Sequence, residues 1–386
     1  MSKHDFSVAE FAGRRTRVRE AMSAAALDWL VVFSPVSIHW LTGSDAKSYQ
    51  SFQCLLIGAH DDKITVLTRE AERHEFEDDT FVDDVIGWGG NEPEDPLEAF
   101  ERLYKARGLA GTRVGIEVPG AYLHPHHYVR VKEIIGRSLV AEPTNLIADL
   151  KLVKSAAELA YIRRAASIAD EAMAAFAGNL AAGRSELELS GVVYGELLSR
   201  GSGFPASTLN LVSGSRAGYP HGAPTERRLA QGETGNIEYG AAYRRYTATI
   251  GRQFCIGKPD ARVVELFAIV REAARAMIAE IRAGVPALVP YEAGKRMIAE
   301  AGYDRYRVHT SGYGLAPGFP PSWGEPVHMF GGSRYTLQAG MVLSIEPPIF
   351  IGAERLGVRV IDNVLVTPIG AELLSTFSPD IIVVED

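Results

Sequence analysis

A chain of 386 residues is long enough for two domains, each able to bury a core without a metal or a disulfide to hold it together. The composition, 46% hydrophobic and 23% charged, is that of a globular protein, and no stretch reaches the roughly 18 to 20 apolar residues needed to span a bilayer. A net charge of -8 without any block of Lys or Arg argues against nucleic acid or a membrane as a partner.

The first 150 residues predict a small α/β domain. The opening residues lack an apolar stretch before a small-residue cleavage site, so we expect no secretory signal and a cytoplasmic protein. Ser7 and Glu10 form a capping box ahead of an amphipathic helix that runs through Met22. The predicted strands of this domain are residues 27–33, 54–58, 64–67 and 113–117.

A second domain, residues 151–386, is predicted to begin with two helices. Their capping boxes are Ser155 with Glu158 and Ser185 with Glu188, and the first helix has apolar residues every three or four positions from 159 to 176. The later predicted elements are strands at 235–239 and 246–254, helices at 260–284 and 291–301, and strands at 341–346, 358–361 and 364–367. This order indicates an α+β domain in which helices cover an antiparallel sheet.

The second domain resembles the creatinase, aminopeptidase P and prolidase family. The segments that carry the resemblance are LVKSAAELAYIRRAASIADEAM (152–173), PHGAPTERRLAQGE (220–233), NIEYGAAYRRYTATIGR (236–252), GMVLSIEPPIF (340–350) and GVRVIDNVLVT (357–367). The resemblance implies the pita-bread fold and a creatinase-type N-terminal domain. It also implies a homodimer in which the N-terminal domain of one subunit contributes to the pocket of the other.

Peptidases of this family bind two divalent metals with two Asp, one His and two Glu, because paired cations generate hydroxide at neutral pH. The matching positions of this chain hold Glu238, Thr249, Tyr313, Glu346 and Ile361. Three of the replacements are not strong ligands for a hard dication. The sequence therefore predicts a pocket with neither a metal nor another cofactor.

The pocket positions keep an acid, a base and a proton donor, as in the metal-free family members that the chain resembles, creatinase and ectoine hydrolase. Glu238, on a predicted strand, is a candidate nucleophile or general base. His221, in a loop, is the candidate that gives a proton to a leaving nitrogen. Glu346, at a strand end, would hold a cationic nitrogen or polarise water, and a retained scaffold acid is the alternative.

Six further residues are candidates for substrate binding. Tyr313, Phe319, Trp323 and Glu325 form an aromatic and acidic cluster in a predicted Gly/Pro-rich loop, where ring faces and a carboxylate would hold an amidinium, guanidinium or ammonium group. Simple packing explains such a cluster as well. The stretch FPPSWGE (319–325) resembles ectoine hydrolase.

Tyr49, within DAKSYQSFQ (45–53), resembles the segment that reaches the partner's pocket in ectoine hydrolase, although an ordinary surface loop fits it too. Arg359 keeps a family position and is expected to support the pocket from behind. His328 is a weaker candidate for a second proton carrier, because a loop histidine is usually a surface residue.

These residues favour a metal-independent hydrolase that cleaves a non-peptide C–N bond in a small cationic or zwitterionic metabolite, ectoine-like or creatine-like. A metal-dependent Xaa-Pro dipeptidase or lyase of the same fold is the second hypothesis. A pita-bread module that binds without catalysis is the third. Whether Glu238 acts as nucleophile or base is left open by the sequence.

Overall fold

The computed structural model describes residues 6–45, 47–119 and 121–384. The chain divides into unit 1, Met1–Lys151, and unit 2, Leu152–Asp386. Among the described residues, no helix is both long enough and apolar enough to cross a membrane.

Unit 1 is a mixed sheet with helices on its two faces. Its elements are α1 Val8–Ala24, β1 Trp29–Val32, α2 Pro35–Thr42, β2 Cys54–Gly58, β3 Ile64–Arg69, α3 Arg73–Asp79, β4 Asp84–Trp88, α4 Pro96–Ala106, β5 Val114–Ile116, α5 Pro125–Ile135, β6 Leu139–Ala141 and α6 Leu146–Leu150. The strand order is β4-β3-β2-β1-β5-β6. The β1–β2 and β2–β3 pairs are antiparallel, whereas β3–β4, β1–β5 and β5–β6 are parallel.

Side chains of β1 alternate between two apolar layers, as expected for a strand buried on both faces. Val31 packs with Phe100 and Val131 from α4 and α5 on one face. Leu30 packs with Trp40 of α2 on the other. The predicted α/β arrangement of this half of the chain is confirmed, with the helix that Ser7 caps extending to Ala24.

Unit 2 is built on a long, mainly antiparallel sheet. Its elements are α7 Ala156–Asn179, α8 Glu186–Ser199, β7 Asn210–Ser213, β8 Thr234–Tyr243, β9 Tyr246–Ile256, α9 Ala261–Glu280, α10 Leu288–Glu300, β10 Gly312–Phe319, β11 Ser322–His328, β12 Val342–Ile345, β13 Ile349–Ile351, β14 Leu356–Val358, β15 Asp362–Val366, β16 Ala371–Leu373 and β17 Ile382–Val384. The strand order is β16-β15-β12-β10-β9-β8-β7, while β11 pairs with β10 and β17 with β9. A separate ribbon joins β13 to β14.

Two apolar clusters fasten the helices of unit 2 to this sheet. Phe176 of α7 and Leu189 of α8 pack against β8 and β9. Val270 and Met277 of α9 pack against β12. Each of these fully buried side chains contributes about 1.5–3 kcal/mol. The predicted capping boxes at the starts of α7 and α8 are present, and they set where these helices begin.

The prediction of a Gly/Pro-rich loop around residues 312–325 is wrong, because this segment forms β10 and most of β11. β10 lies between β9 and β12 in the sheet. Gly312 stands opposite Ile345, and a Cβ at Gly312 would overlap the carbonyl oxygen of Ser344. The glycine therefore allows a close approach of two strands, a role that composition does not distinguish from loop flexibility.

Candidate active site

A pocket of about 270 Å³ opens where β7, β8, β10 and β11 meet, next to the loop 214–224 that follows β7. Residues from these segments and from the stretch just before β10 line it, among them His221, Glu238, His309, Tyr313, Trp323 and His328. The sheet brings together side chains that lie as much as about a hundred residues apart. Several of the sequence-predicted site residues therefore share one cavity.

Glu238 lies on β8 with its carboxylate buried. Arg359 pairs with it through Nη1, and the exposed fractions of the two side chains are 3% for Arg359 and 7% for Glu238. Asn210, the register partner of Glu238 on β7, donates Nδ2 to the same Oε2 at 3.2 Å. A buried carboxylate is tolerated when it is paired and hydrogen-bonded in this way.

Arg359 connects Glu238 with the loop that carries His221. While Nη1 faces Glu238, Nη2 donates to the carbonyl oxygen of Pro220 at 2.5 Å. The guanidinium also lies 5.2 Å from the centre of the Phe350 ring. A planar guanidinium can hold two acceptors at once in a fixed geometry. Arg359, which does not itself line the pocket, thus contacts both Glu238 and the loop that carries His221.

His221 and His309 form an imidazole pair at the pocket wall. Their Nε2 atoms are 3.1 Å apart, and the ring planes meet at 68°. Nδ1 of His309 lies 3.1 Å from the carbonyl oxygen of Thr310. Since a carbonyl only accepts, Nδ1 carries the proton of a neutral His309 ring, and His221 then donates from Nε2 to Nε2.

Burial lowers the pKa of His309, and the nearby charges of Arg359 and then His221 lower it further. The neutral ring that this favours is the acceptor in the imidazole pair. His221 thereby holds a proton at Nε2, directed at Nε2 of His309. A histidine that receives such a proton and passes it on is the usual means of moving protons near neutral pH.

Glu346 follows the last residue of β12 and is 3% exposed. Its Oε1 is buried and has no hydrogen-bond partner among the described residues. Burial raises the pKa of Glu346 well above that of an exposed glutamic acid, and the charge of Glu238 adds to the effect. The raised pKa favours the protonated carboxyl of Glu346, and Glu346 is not among the residues that line the pocket.

Tyr313 on β10 and Trp323 on β11 lie side by side in the pocket wall. The indole Nε1 donates to the Tyr313 hydroxyl at 3.0 Å. Burial, then the charges of Glu346 and Glu238, raise the pKa of Tyr313, so that its hydroxyl keeps its proton. His328 lies at the rim, with its ring centre 6.3 Å from that of Tyr313.

Three predicted substrate-binding residues have other neighbours. Glu325 forms a buried ion pair with Lys154, with side chains 3% and 1% exposed. Phe319 is buried beneath the guanidinium of Arg245, 4.2 Å from its ring centre. Tyr49 belongs to unit 1, where its ring meets that of Tyr122 at an edge with centres 6.0 Å apart.

Among the pocket residues that were not predicted from the sequence, His309 and Asn210 contact the predicted residues His221 and Glu238. His309 stands four positions before Tyr313, where it was visible as a histidine but its pairing with His221 was not. Asn210 reaches Glu238 through strand register, which a single sequence does not reveal. The sequence signal for Asn210 was its position as a polar residue at the start of a short apolar strand, shortly before the predicted strand of Glu238.

Comparisons with known proteins give the context for this pocket. The model of metallopeptidase family M24 matches residues 160–368, and that of the creatinase/prolidase N-terminal domain matches residues 14–153. The Xaa-Pro dipeptidase of Pyrococcus horikoshii is 28% identical over 295 residues, covering 74% of this chain and 80% of the relative. That of Pyrococcus furiosus is 26% identical over 366 residues, covering 94% and 97%. A solved Xaa-Pro dipeptidase from Bacillus anthracis superimposes with a TM-score of 0.85 at 23% identity, covering 97% of this chain and 100% of that one.

These comparisons confirm the pita-bread fold and the creatinase-type N-terminal domain. They also correct the predicted function. The prediction of a hydrolase for a non-peptide C–N bond in an ectoine hydrolase-like branch is wrong, because the relatives that align over most of the chain are Xaa-Pro dipeptidases. The prediction of a metal-independent enzyme is overturned together with it, since the matching family is one of metallopeptidases.

A pair of divalent cations, which the resemblance described in the sequence analysis implies for peptidases of this family, does not fit the donors of this pocket. Glu238 already pairs with Arg359, and the Thr249 hydroxyl accepts from Nδ2 of Asn363 at 2.8 Å. Among the described residues, no group of three or more His, Cys, Asp or Glu is arranged to hold a metal ion. Glu346 leaves one unpartnered buried oxygen, which is too little for two cations that each need several ligands. We assign no chemical step to a metal.

Proposed function

Because this chain belongs to the metallopeptidase family M24, we propose that it is a hydrolase of short peptides, with Xaa-Pro dipeptides as substrates of the pocket around Glu238. The curated relatives support this peptide class, since they are Xaa-Pro dipeptidases. The observation that carries the proposal is the acid and imidazole set, Glu238 with His221 and His309, in one small cavity.

The size of the pocket suits a dipeptide. Its volume of about 270 Å³ lies just below the range of about 300–1,000 Å³ that is typical of small-ligand sites, as expected for a small ligand. A folded protein or a long chain would not fit within such a cavity. The aromatic wall of Tyr313 and Trp323 supports a role in packing against the proline ring, whose flat apolar face such side chains contact well.

Peptide hydrolysis needs a group that removes a proton from water and another that delivers one to the leaving nitrogen. We assign the first role to Glu238, whose carboxylate lines the cavity. We assign the second to His221, which holds a proton at Nε2 toward His309.

Peptide binding without turnover is a second candidate, favoured by a specific observation. The carboxylate of Glu238 is already engaged by Arg359 and Asn210, and the described part of the chain holds no cluster of donors for paired cations. A pocket with these features can recognise the ammonium and carbonyl groups of a peptide without cleaving it. This candidate predicts the same ligands as the first and no product.

Release of free proline from a panel of Xaa-Pro dipeptides tests the first candidate, and calorimetric binding of the same dipeptides tests the second. Each assay is run after chelation and again with added Mn²⁺. We expect proline release with saturation at micromolar to millimolar substrate, the usual range of KM. Binding without proline release would support the second candidate. If the protein neither binds nor cleaves the dipeptides, peptides are not its ligands.

Paired variants assign the chemistry to the pocket. We expect His221→Ala to reduce proline release by about 10²-fold or more, the usual contribution of a proton-transferring group. His74→Ala is the matched control, because His74 is an exposed histidine of unit 1 beside Glu77. Equal losses in the two variants would remove His221 from the reaction.

We further propose that the chain forms a homodimer in which Tyr49 contributes to the pocket of the partner. The support is the family membership and the resemblance of the segment 45–53. Light scattering on the purified protein gives the mass, and Tyr49→Ala is expected to raise KM for the dipeptide. A monomer, or an unchanged KM, would contradict this arrangement.

A further inference from the structure

The loop 214–224, which carries His221, is held at its two ends by one buried carboxylate. We infer that Glu186 is a positioning residue that fixes His221 opposite His309. Glu186 is the first residue of α8 and is fully buried. The consequence for catalysis rests on the proposed function, whereas the effect on the loop can be measured without it.

Both oxygens of Glu186 are used by residues that flank the loop. Oε1 accepts from the hydroxyl of Ser213 at 2.8 Å, and Ser213 is the last residue of β7. Oε2 accepts from the backbone N–H of Thr225 at 3.0 Å and from its hydroxyl at 2.9 Å. The segment between Ser213 and Thr225 is thus closed into a loop by a single side chain.

Arg216, inside the loop, adds a charged contact to the same carboxylate. Its Nη1 pairs with Oε2 of Glu186. Its Nη2 donates to the carbonyl oxygen of Ala223 at 2.6 Å, on the far side of His221. Hydrogen bonds to a buried carboxylate are stronger than those between neutral groups. Glu186 therefore orders the interior of the loop through Arg216 as well as its ends.

The loop then meets the sheet on either side of His221. The carbonyl oxygen of Gly222 accepts from the N–H of Leu211 at 3.0 Å, and Arg359 donates to that of Pro220. A Cβ at Gly222 would overlap a methyl group of Val212, so the backbone lies directly on β7. Because the backbone is fixed at Pro220 and Gly222, the freedom left to His221 is mainly rotation of its side chain.

His221 itself is solvent-exposed, so packing does not hold its ring in place. Its distance to His309 depends on the backbone that Glu186 orders. A displacement of about 1 Å at a catalytic group can reduce a rate by about 10²-fold. Loss of the Glu186 contacts would therefore change the distance between His221 and His309, while the strand that carries Glu238 stays in place.

Glu186→Gln is the test, because it removes the charge and turns one acceptor into a donor without changing the shape. Glu188→Gln is the matched control, since Glu188 bonds the backbone N–H of Ser185 in the first turn of the same helix. Three measurements are compared: hydrogen exchange of residues 214–224, the NMR signals of the His221 and His309 imidazoles, and proline release.

We expect Glu186→Gln to speed exchange in the loop about tenfold or more, to abolish the signature of the Nε2–Nε2 hydrogen bond, and to lower kcat about 10- to 100-fold with KM changed less than about threefold. Glu188→Gln should leave the imidazole signals unchanged. An intact imidazole pair and unchanged loop exchange in Glu186→Gln would overturn the inference.

The two proposals fail in different ways. If the wild-type protein releases no proline but Glu186→Gln loosens the loop and the imidazole pair, the positioning inference stands and the proposed function falls. If Glu186→Gln does not fold, Ser213→Ala combined with Thr225→Val removes two hydroxyl donors and keeps the pair with Arg216. Unchanged imidazole signals in that variant would refute the inference.

Discussion

Replacing Arg359 with Met should destabilise unit 2. The side chain of Glu238 is 7% exposed and that of Arg359 3%, so the variant leaves a carboxylate buried without its cation. Removing one partner of such a pair costs about 3–5 kcal/mol. Loss of the bond from Nη2 to Pro220 adds about 1 kcal/mol.

The second variant, Glu238→Gln, separates the cost of the unpaired charge from the cost of the lost hydrogen bond to Pro220. In the double variant Arg359→Met with Glu238→Gln, no charge stays buried, so we expect it to be more stable than Arg359→Met alone. The coupling energy from the four proteins should be about 2–3 kcal/mol.

Chemical denaturation gives the free energies of unfolding, followed by fluorescence. Trp323 is the tryptophan of unit 2, while Trp29, Trp40 and Trp88 belong to unit 1. Hydrogen exchange in β8 reports the same change locally. A loss below about 1 kcal/mol in Arg359→Met, or a double variant as unstable as that single one, would refute the idea that Arg359 compensates the charge of Glu238.

Other predictions concern groups near the pocket. Burial lowers the pKa of His309 below the value of about 6.5 in the unfolded chain, so the unfolded state binds more protons and stability falls as the pH drops through that value. His309→Gln should therefore make the stability measured by urea unfolding depend less on pH in this range. An unchanged pH dependence would contradict the prediction. Lys154→Met should cost about 3–5 kcal/mol by leaving Glu325 buried and unpaired, whereas adding Glu325→Leu should restore most of that loss in thermal melts; no recovery would argue against the pair. Gly312→Ala should cost about 1–3 kcal/mol, because the new methyl overlaps the carbonyl oxygen of Ser344, and a stability equal to wild type would show that β12 can move aside.

Local signals in the sequence predicted local structure well. The capping boxes at Ser155 and Ser185 begin α7 and α8 as expected, because the bonds that define them join residues three apart. The same reasoning failed for residues 312–325, where glycine and proline suggested a loop. Strand pairing across the sheet decided that segment, and composition does not record which strands will be neighbours.

Candidate site residues could be named from the sequence, but the residues that they contact could not. Glu238, His221 and Glu346 were proposed as catalytic residues; Glu238 and His221 line one cavity, whereas Glu346 is not among its lining residues. The choice of Glu325 as a substrate ligand did not anticipate its ion pair with Lys154, 171 residues away in the chain. The predicted function failed at the level of chemistry, because a changed ligand set in one sequence does not identify the substrate.

The starts of α7 and α8 and the resemblance to the pita-bread family were determined by the sequence itself. Helix starts depend on neighbours within a few positions, and the resemblance depends on segments that keep their order along the chain. The tertiary structure alone decided that Arg359 faces Glu238, that His221 meets His309, and that Glu186 closes the loop between Ser213 and Thr225. Each of these contacts joins distant parts of the chain, and its geometry depends on how the sheet and helices pack, which sequence spacing does not encode.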